Sequence, residues 1–160
     1  MEIEKEIVLR KTEQADLATL FIFQLDKEAN YLAAVTPKDP PDRVFYFDKW
    51  TKLISNLTIN MKTIVINDLV EGSVIIFEME GEAEISYWID KHYWGQGIAV
   101  AALKVFLETE YLRPLHGRVA FDNFGSQNVF EKCGLVRIGI DEGFANAKNA
   151  EIEEFIYRLT

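Results

Sequence analysis

The sequence predicts a single domain of the α+β class, and three features of the chain support this prediction. Segments with strand-like alternation and segments with helical spacing follow one another without internal repeats. Three strand-like segments are consecutive and separated only by short turn-like breaks, which favours an antiparallel meander. The length of 160 residues suits one compact domain with a sizeable core, so we expect a single domain over residues 1–160.

The N-terminal part is predicted to hold a strand, two helices and a proline-rich loop. Residues 6–11 have the composition of a strand, and a helix is expected over 16–29 with Asp16 as its cap. Residues 36–43, TPKDPPDR, contain three of the four prolines. We interpret them as a loop between helices, because the 35 residues before them are too few for a separate domain. Bulky residues at helical spacing then predict a helix over 44–54.

The middle of the chain carries the predicted meander. Its strands are expected over 58–67, 72–79 and 82–90, with breaks at 68–72 and at Gly81.

The C-terminal part is predicted to alternate helices and strands. One helix follows a pair of glycines and runs to about Tyr111, and another ends at Cys133 because Gly134 is a typical helix stop. Further strands are expected over 117–122, 135–143 and 150–159.

Composition and charge exclude several classes of protein. With 49% hydrophobic and 27% charged residues the chain has the composition of a globular domain. It contains no apolar run of the roughly 18 residues that a membrane span needs, and its start lacks a signal-like apolar segment, so we expect a cytoplasmic protein without membrane association. A single cysteine and two histidines argue against a disulfide framework or a metal site. A net charge of −9 argues against nucleic-acid binding and suits either a cationic small partner or simply solubility.

The most informative segment is HYWGQGIAVAAL, residues 92–103, where Gly95 and Gly97 precede an apolar helical run. A helix N-terminus has unpaired N–H groups and a partial positive charge, and glycine lets an anion approach the backbone closely. A phosphate group fits this position, although a glycine pair can also serve only as a tight turn. The segment matches neither a Walker loop nor a dinucleotide-binding fingerprint.

Two motifs together identify a family. YWIDKHYWGQGIAVAAL, which ends at Leu103, resembles the acetyl-CoA signature of the GNAT acyltransferases, in particular the branch of the ribosomal-protein N-terminal acetyltransferases. DNFGSQNVFEKCGL, residues 122–135, is similar to the second motif of that branch and follows about 20 residues later in the expected order. The resemblance implies a mixed, mostly antiparallel sheet that splays between its fourth and fifth strands, with about four flanking helices.

The same resemblance implies which residues bind acetyl-CoA. The pantetheine arm would enter the split in the sheet, near the main chain at the end of the fourth strand, where Trp88, Ile89 and Asp90 lie. The pyrophosphate would meet the backbone N–H groups of Gly95, Gln96, Gly97, Ile98 and Ala99. The family usually has Gln or Arg three residues before the second glycine, and here Trp94 takes that place. Pyrophosphate binding would therefore depend on the backbone and the helix dipole more than on a side chain.

The chemistry of amine acylation requires a group that takes up a proton. Only one alkylamine in about 2,500 is neutral at pH 7, whereas an α-amine is far less protonated. Strand alternation places Glu82, Glu84, Ser86 and Trp88 on one face of the fourth strand. Glu84 lies in the middle of that strand, and partial burial there would raise its pKa and suit a general base, acting directly or through water. The alternative is a solvated glutamate on a sheet face.

Departure of the thiolate raises a second question, namely which group donates a proton or a hydrogen bond to the sulfur. Many family members have a Tyr seven residues after the Asn of the second motif, and here that position is Phe130. Ser126 is a candidate hydrogen-bond donor to the sulfur, and Asn123 a candidate contact for the pantetheine or a water. Both residues also suit helix capping, with Asn123 as the N-cap.

The other chemically active side chains are interpreted as structural. Cys133 stands at a helix C-terminus, which disfavours a thiolate, so we expect it to be packed and unreactive. His92 precedes the glycines and is expected at the surface or at the edge of the cofactor. The C-terminal segment is predicted to be a closing β-hairpin, whose acidic residues could also line an acceptor cleft or a contact between two subunits of a homodimer.

The sequence thus predicts an N-acetyltransferase that moves acetyl from acetyl-CoA directly to a primary amine, without a metal. A peptide α-amine and a small amine both stay open as acceptors. A non-catalytic acyl-CoA-binding or regulatory module is the alternative, because Phe130 replaces the usual acid.

Overall fold

The computed structural model describes residues 6–23, 43–145 and 150–160, and these residues form an α+β fold of seven strands and four α-helices. The strands are β1 (Ile7–Lys11), β2 (Asn60–Ile66), β3 (Leu69–Met79), β4 (Glu82–Ile89), β5 (Leu115–Ala120), β6 (Val136–Ala145) and β7 (Ala150–Leu159). The helices are α1 (Leu17–Phe23), α2 (Arg43–Ser55), α3 (Ile98–Thr109) and α4 (Phe124–Lys132). Short 3₁₀ turns precede α1 and follow β4, at Gln14–Asp16 and Lys91–Tyr93.

The strands form one mixed sheet in the order β1-β2-β3-β4-β5-β7-β6. Strands β1 to β4 are an antiparallel meander, as predicted, and β5, β7 and β6 pair antiparallel as well. Only β4 and β5 run parallel, and their ladder holds the single registered pair Glu84 and His116. The sheet therefore splays between β4 and β5, which confirms the predicted fold class.

Helices cover both faces of the sheet. Because neighbouring side chains of a strand point to opposite faces, Val74 and Ile76 pack in the core beneath α3 and α4, whereas Ile75 packs with α1 and α2. The larger core continues into α3 through Leu103 and Phe106, which are almost fully buried. Residues of β4 and α3 thus share the larger core.

The β2–β3 turn differs from the prediction. We expected a break over 68–72, but the reversal occurs at Asn67 and Asp68, whose φ angles are 50° and 68°, and β3 begins at Leu69. Gly72 therefore lies inside β3. The strand needs glycine at this position because a Cβ atom would collide with the carbonyl oxygen of Trp88 on β4. The predicted turn at Gly81, with φ of 82°, is confirmed.

The start of α1 also corrects the prediction. Asp16 is not the cap: Glu13 is the N-cap residue of the preceding 3₁₀ turn, and the Asp16 carboxylate accepts a hydrogen bond from the Glu13 N–H at 2.8 Å. Asp16 is buried, forms an ion pair with Arg10 at 2.7 Å and accepts a hydrogen bond from the Thr63 hydroxyl of β2 at 3.0 Å, a long-range contact that local pattern does not reveal. The remainder of the predicted helix, 24–29, and the proline-rich segment 36–42 lie outside the described residues.

The other predicted elements are present with shifted ends. Arg43 begins α2, α3 ends at Thr109 and not at Tyr111, and β5 begins two residues earlier than expected. Within the described part of the chain, every helix is too short or too polar to cross a membrane.

Candidate active site

A central cavity of about 1060 Å³ opens where the sheet splays, and α2, β3, β4, the glycine loop, β5 and α4 line it. Most of the residues predicted from the sequence to act together line this one cavity. They are Glu84, Trp88, Ile89, Gly95, Gly97, Ile98, Ala99, Asn123 and Ser126. Two further predicted cofactor contacts, Asp90 and Gln96, are adjacent in sequence to lining residues but do not line the cavity themselves.

The glycine loop leads directly into α3. Gly95 and Gly97 have φ angles of 75° and 76°, which only glycine adopts without strain, and Gly97 is the N-cap of α3. A Cβ atom at either position would meet no protein atom within 4 Å, so both glycines border open space. The first turn of α3 contains no acidic residue. The loop therefore presents bare backbone and the positive end of a helix to the cavity, which suits a pyrophosphate.

Side chains around this loop fix its shape. The Trp94 indole donates a hydrogen bond from Nε1 to the Ile89 carbonyl at 3.1 Å, and the Gln96 amide donates to the His92 carbonyl at 2.9 Å. The Asp90 N–H donates to the Glu71 carbonyl at 2.8 Å. Trp94 and Gln96 thus brace the turn, and the main-chain groups of Ile89 and Asp90 named here have partners within the protein.

The start of α4 forms the opposite wall. Asn123 is the N-cap residue, and its Oδ1 accepts a hydrogen bond from the Ser126 N–H at 3.2 Å. Both residues also line the cavity, so they cap the helix and border the cavity at the same time. The Ser126 hydroxyl lies 2.8 Å from the Tyr87 hydroxyl on β4.

Glu84 lies in the part of the cavity away from the glycine loop. It is only 4% exposed, and this burial raises the pKa of its carboxyl group. The positive charge of Arg118, whose Nε is 3.7 Å from Glu84 Oε1, acts to lower the same pKa, as does His116. Burial outweighs these charges, so the pKa of Glu84 is raised overall. A carboxylate in this state combines a higher proton affinity with access to the cavity.

Three residues at the site were not singled out by the sequence analysis. Arg118 is held by Asp141, whose carboxylate accepts from Nη1 at 2.7 Å, and burial raises the pKa of Glu154, which also lines the cavity. Tyr87 is the third. Strand alternation is visible in β5 and β7, but only the register of these strands, which pairs Ala120 with Glu154, brings Arg118 and Glu154 close to β4.

Aromatic side chains of α2 line the same cavity as Glu84. Phe45, Lys49 and Trp50 line the cavity together with Phe77 of β3. Phe77 is the register partner of Glu84, so an aromatic side chain lies on the strand next to this carboxylate.

The two residues interpreted as structural are placed accordingly. Burial raises the pKa of the Cys133 thiol, and its Sγ donates to the Val100 carbonyl at 3.7 Å, which agrees with an unreactive cysteine. His92 is exposed, packs edge-to-face on Tyr93 and does not line the cavity. Across 6–23, 43–145 and 150–160, no three His, Cys, Asp or Glu side chains are grouped as metal ligands would be.

Comparison with known families decides the assignment. The family model of the acetyltransferase (GNAT) domain matches residues 6–136. The chain belongs to the GNAT acetyltransferase family. This membership confirms the predicted enzyme class, an N-acyltransferase that uses acetyl-CoA as donor.

Solved structures of GNAT proteins resemble this chain over almost its whole length. A GNAT-family acetyltransferase from Bacillus anthracis is 19% identical, with 99% of this chain and 98% of that chain covered and a TM-score of 0.77. Spermidine N-acetyltransferase from Vibrio cholerae, in complex with CoA and spermine, is 18% identical, with 95% of each chain covered and a TM-score of 0.77. Ribosomal-protein-S5-alanine acetyltransferase from Vibrio fischeri is 17% identical, with coverages of 99% and 94% and a TM-score of 0.74. At these identities the likeness shows the fold. Comparison with curated protein sequences yields no significant match.

Proposed function

We propose that this GNAT protein transfers the acetyl group of acetyl-CoA directly to a primary amine, with Glu84 as the general base. The observation that carries the proposal is the composition of the central cavity: the glycine loop at the N-terminus of α3 and the buried Glu84 both line it. An anion site and a carboxylate of raised pKa in one cavity are what acyl transfer from a phosphate-bearing thioester to an amine requires.

The donor is proposed to bind along the glycine loop. Backbone N–H groups from Gly95 to Ala99 would hold the pyrophosphate, and the pantetheine arm would extend past Trp88 and Asn123 into the split between β4 and β5. The open space beside both glycines supports this placement, because side chains there would occupy it. Bound acetyl-CoA supplies the thioester carbonyl that the amine attacks.

Glu84 is proposed to take the amine proton, directly or through a water. Its raised pKa brings its proton affinity closer to the range in which a base works at neutral pH. As the C–N bond forms and the C–S bond breaks, the electron pair leaves with the sulfur. Ser126 donates a hydrogen bond to that sulfur, whose proton then comes from water. Because a thiol has a pKa near 8.5, the leaving thiolate is only modestly basic and the hydrogen bond from Ser126 contributes modestly.

The acceptor is proposed to be a peptide α-amine or a small amine, entering between α2 and β4. The similar structures include a protein named for each kind, a ribosomal-protein alanine acetyltransferase and a spermidine acetyltransferase. The apolar wall of Phe45 and Trp50 accommodates the carbon skeleton of either acceptor. The predicted cytoplasmic location is part of the same proposal.

One observation favours a second function, that of an acyl-CoA-binding module without catalysis. Phe130 lines the cavity beside Ser126 and offers no hydroxyl to the leaving group. Such a module would bind acetyl-CoA and release no thiol when amines are added.

Thiol release from acetyl-CoA separates the two functions. The purified protein is assayed with a panel of α-amine peptides, polyamines and amino acids, and acetyl-CoA binding is measured by calorimetry in parallel. The enzyme function expects amine-dependent thiol release and an acetylated product by mass spectrometry. Binding without amine-dependent release from any acceptor would favour the module and contradict the proposed transfer.

A further inference from the structure

A hydrogen bond crosses the split in the sheet, from Tyr87 of β4 to Ser126 of α4. Their hydroxyl oxygens are 2.8 Å apart, although the residues are 39 positions apart in sequence. Both residues line the central cavity. The bond therefore joins the two walls between which the pantetheine arm is proposed to lie.

The position of the Tyr87 phenol is fixed by packing. Its ring meets the ring of Phe130 edge-to-face, with centroids 6.0 Å apart. Phe130 is buried and lies so close to Gly117 that a Cβ atom at 117 would be 2.6 Å from its Cε2. Because Phe130 already lies against Gly117, it cannot move closer to β5 without a collision. Its ring therefore stays in contact with the phenol of Tyr87, whose hydroxyl is held at Ser126.

The direction of the hydrogen bond follows from the chemistry of the two hydroxyls. A phenol is more acidic than an aliphatic alcohol and is the stronger donor. Burial raises the pKa of Tyr87 to about 12, so its proton stays in place at neutral pH. With Tyr87 as donor, one lone pair of Ser126 Oγ is occupied and the serine hydrogen is left to point elsewhere. Apart from Tyr87, Ser126 faces the cavity that it lines.

We propose that Tyr87 is a positioning residue for Ser126: it donates to Ser126 Oγ and thereby directs the serine hydrogen toward the leaving sulfur. The proposal rests on the proposed acetyl transfer. Tyr87 keeps its own proton throughout. The C–S electron pair goes to the sulfur, which accepts the Ser126 hydrogen bond, and water supplies the proton of the free thiol.

Tyr87→Phe tests the proposal because it removes only the hydroxyl and keeps the ring on Phe130. We expect kcat to fall about three- to tenfold, the effect of one lost hydrogen bond, while the KM for acetyl-CoA stays within twofold. In a double-mutant cycle, adding Tyr87→Phe to Ser126→Ala should lower kcat no further, since the tyrosine acts through the serine. A purely structural role would lower kcat equally in both backgrounds.

Tyr157→Phe is the matched control. Tyr157 also packs against Phe130, with centroids 5.7 Å apart, but its hydroxyl donates to Glu131 and it does not line the cavity. Its kcat should equal that of the wild type.

Each outcome decides for or against the proposal. An unchanged kcat in Tyr87→Phe, or a full additional loss in the double variant, overturns the role of Tyr87 while acetyl transfer by the wild type stands. A wild type that acetylates no amine overturns the proposed function and this inference with it. If Tyr87→Phe does not fold, Ser126→Ala probes the same bond from the other side, and a wild-type kcat in that variant overturns the proposal.

Discussion

Arg118 Nε lies 3.7 Å from Glu84 Oε1, and the same guanidinium is anchored to Asp141 through Nη1 at 2.7 Å. This Nε is buried and has no hydrogen-bond partner among the residues that the structure describes. Arg118 thus acts on Glu84 through its charge and not through a hydrogen bond. Burial raises the pKa of Glu84 and the arginine limits the rise.

Removal of the arginine charge should move the acid limb of the pH–rate profile to higher pH. Arg118 lowers the pKa of Glu84, so in Arg118→Gln that pKa rises further and the base becomes protonated at a higher pH. We expect the limb of kcat/KM to move up by on the order of one pH unit. Arg137→Gln is the control, because Arg137 stacks on Phe155 and does not line the cavity. A limb that stays in place or moves down would show that the two groups are not coupled.

Glu84 should destabilise the folded protein at neutral pH. Its pKa is raised on folding, so the folded state holds the proton more tightly than the unfolded state. The free energy of unfolding therefore falls as pH rises from the unfolded pKa through the folded one, by about 1.4 kcal/mol for each pH unit that separates these two pKa values. Glu84→Gln removes this loss, so its stability gain over wild type should be larger at pH 7 than at pH 4.

Urea unfolding at the two pH values measures this difference. Glu78→Gln is the control, because Glu78 is exposed on the neighbouring strand β3 and does not line the cavity, and it should change stability by no more than about 0.5 kcal/mol at either pH. A gain for Glu84→Gln that is equal at both pH values would contradict the raised pKa.

The sequence predicts much of this architecture because its signals are local. Alternation along β4 and the two glycines before an apolar helix single out Glu84, Gly95 and Gly97, which the structure places around one cavity. Features that depend on contacts between distant segments are missed or misplaced. The predicted cap at Asp16 is wrong because the turn begins at Glu13, and Asp16 is buried against Thr63 of the distant strand β2. The predicted break at Gly72 is wrong because this glycine serves a close approach to β4. Arg118, Glu154 and the Tyr87 hydroxyl reach the site only through strand register and packing.

Gly97→Val should weaken acetyl-CoA binding more than tenfold while the fold survives. Valine strains a backbone with φ of 76°, and its side chain would enter the open space proposed for the pyrophosphate. Gly81→Val is the matched control, since Gly81 has φ of 82° and equally open surroundings but does not line the cavity. Calorimetric titration should show near wild-type affinity for Gly81→Val. Equal affinity in a folded Gly97→Val would contradict the placement of the donor.

Cys133 should take no part in the chemistry. Burial raises the pKa of its thiol, which keeps the thiolate population low at pH 7. We expect Cys133→Ala to retain kcat/KM within about twofold, and iodoacetamide to leave the activity of the wild type unchanged on the timescale of the assay. Rapid inactivation of the wild type but not of Cys133→Ala would show that the cysteine is reactive.

The central claim is that Glu84 is the general base, and the pH–rate profile of Glu84→Gln tests it most directly. On a confirmed acceptor, kcat/KM should fall by on the order of 10² to 10⁴ at neutral pH and recover in part at higher pH, as the free amine becomes more abundant. Glu78→Gln, the same change at an exposed position of the neighbouring strand β3, should keep the wild-type rate. A Glu84→Gln variant that folds and retains the wild-type pH–rate profile would contradict the claim and leave Glu84 a buried polar residue of the sheet.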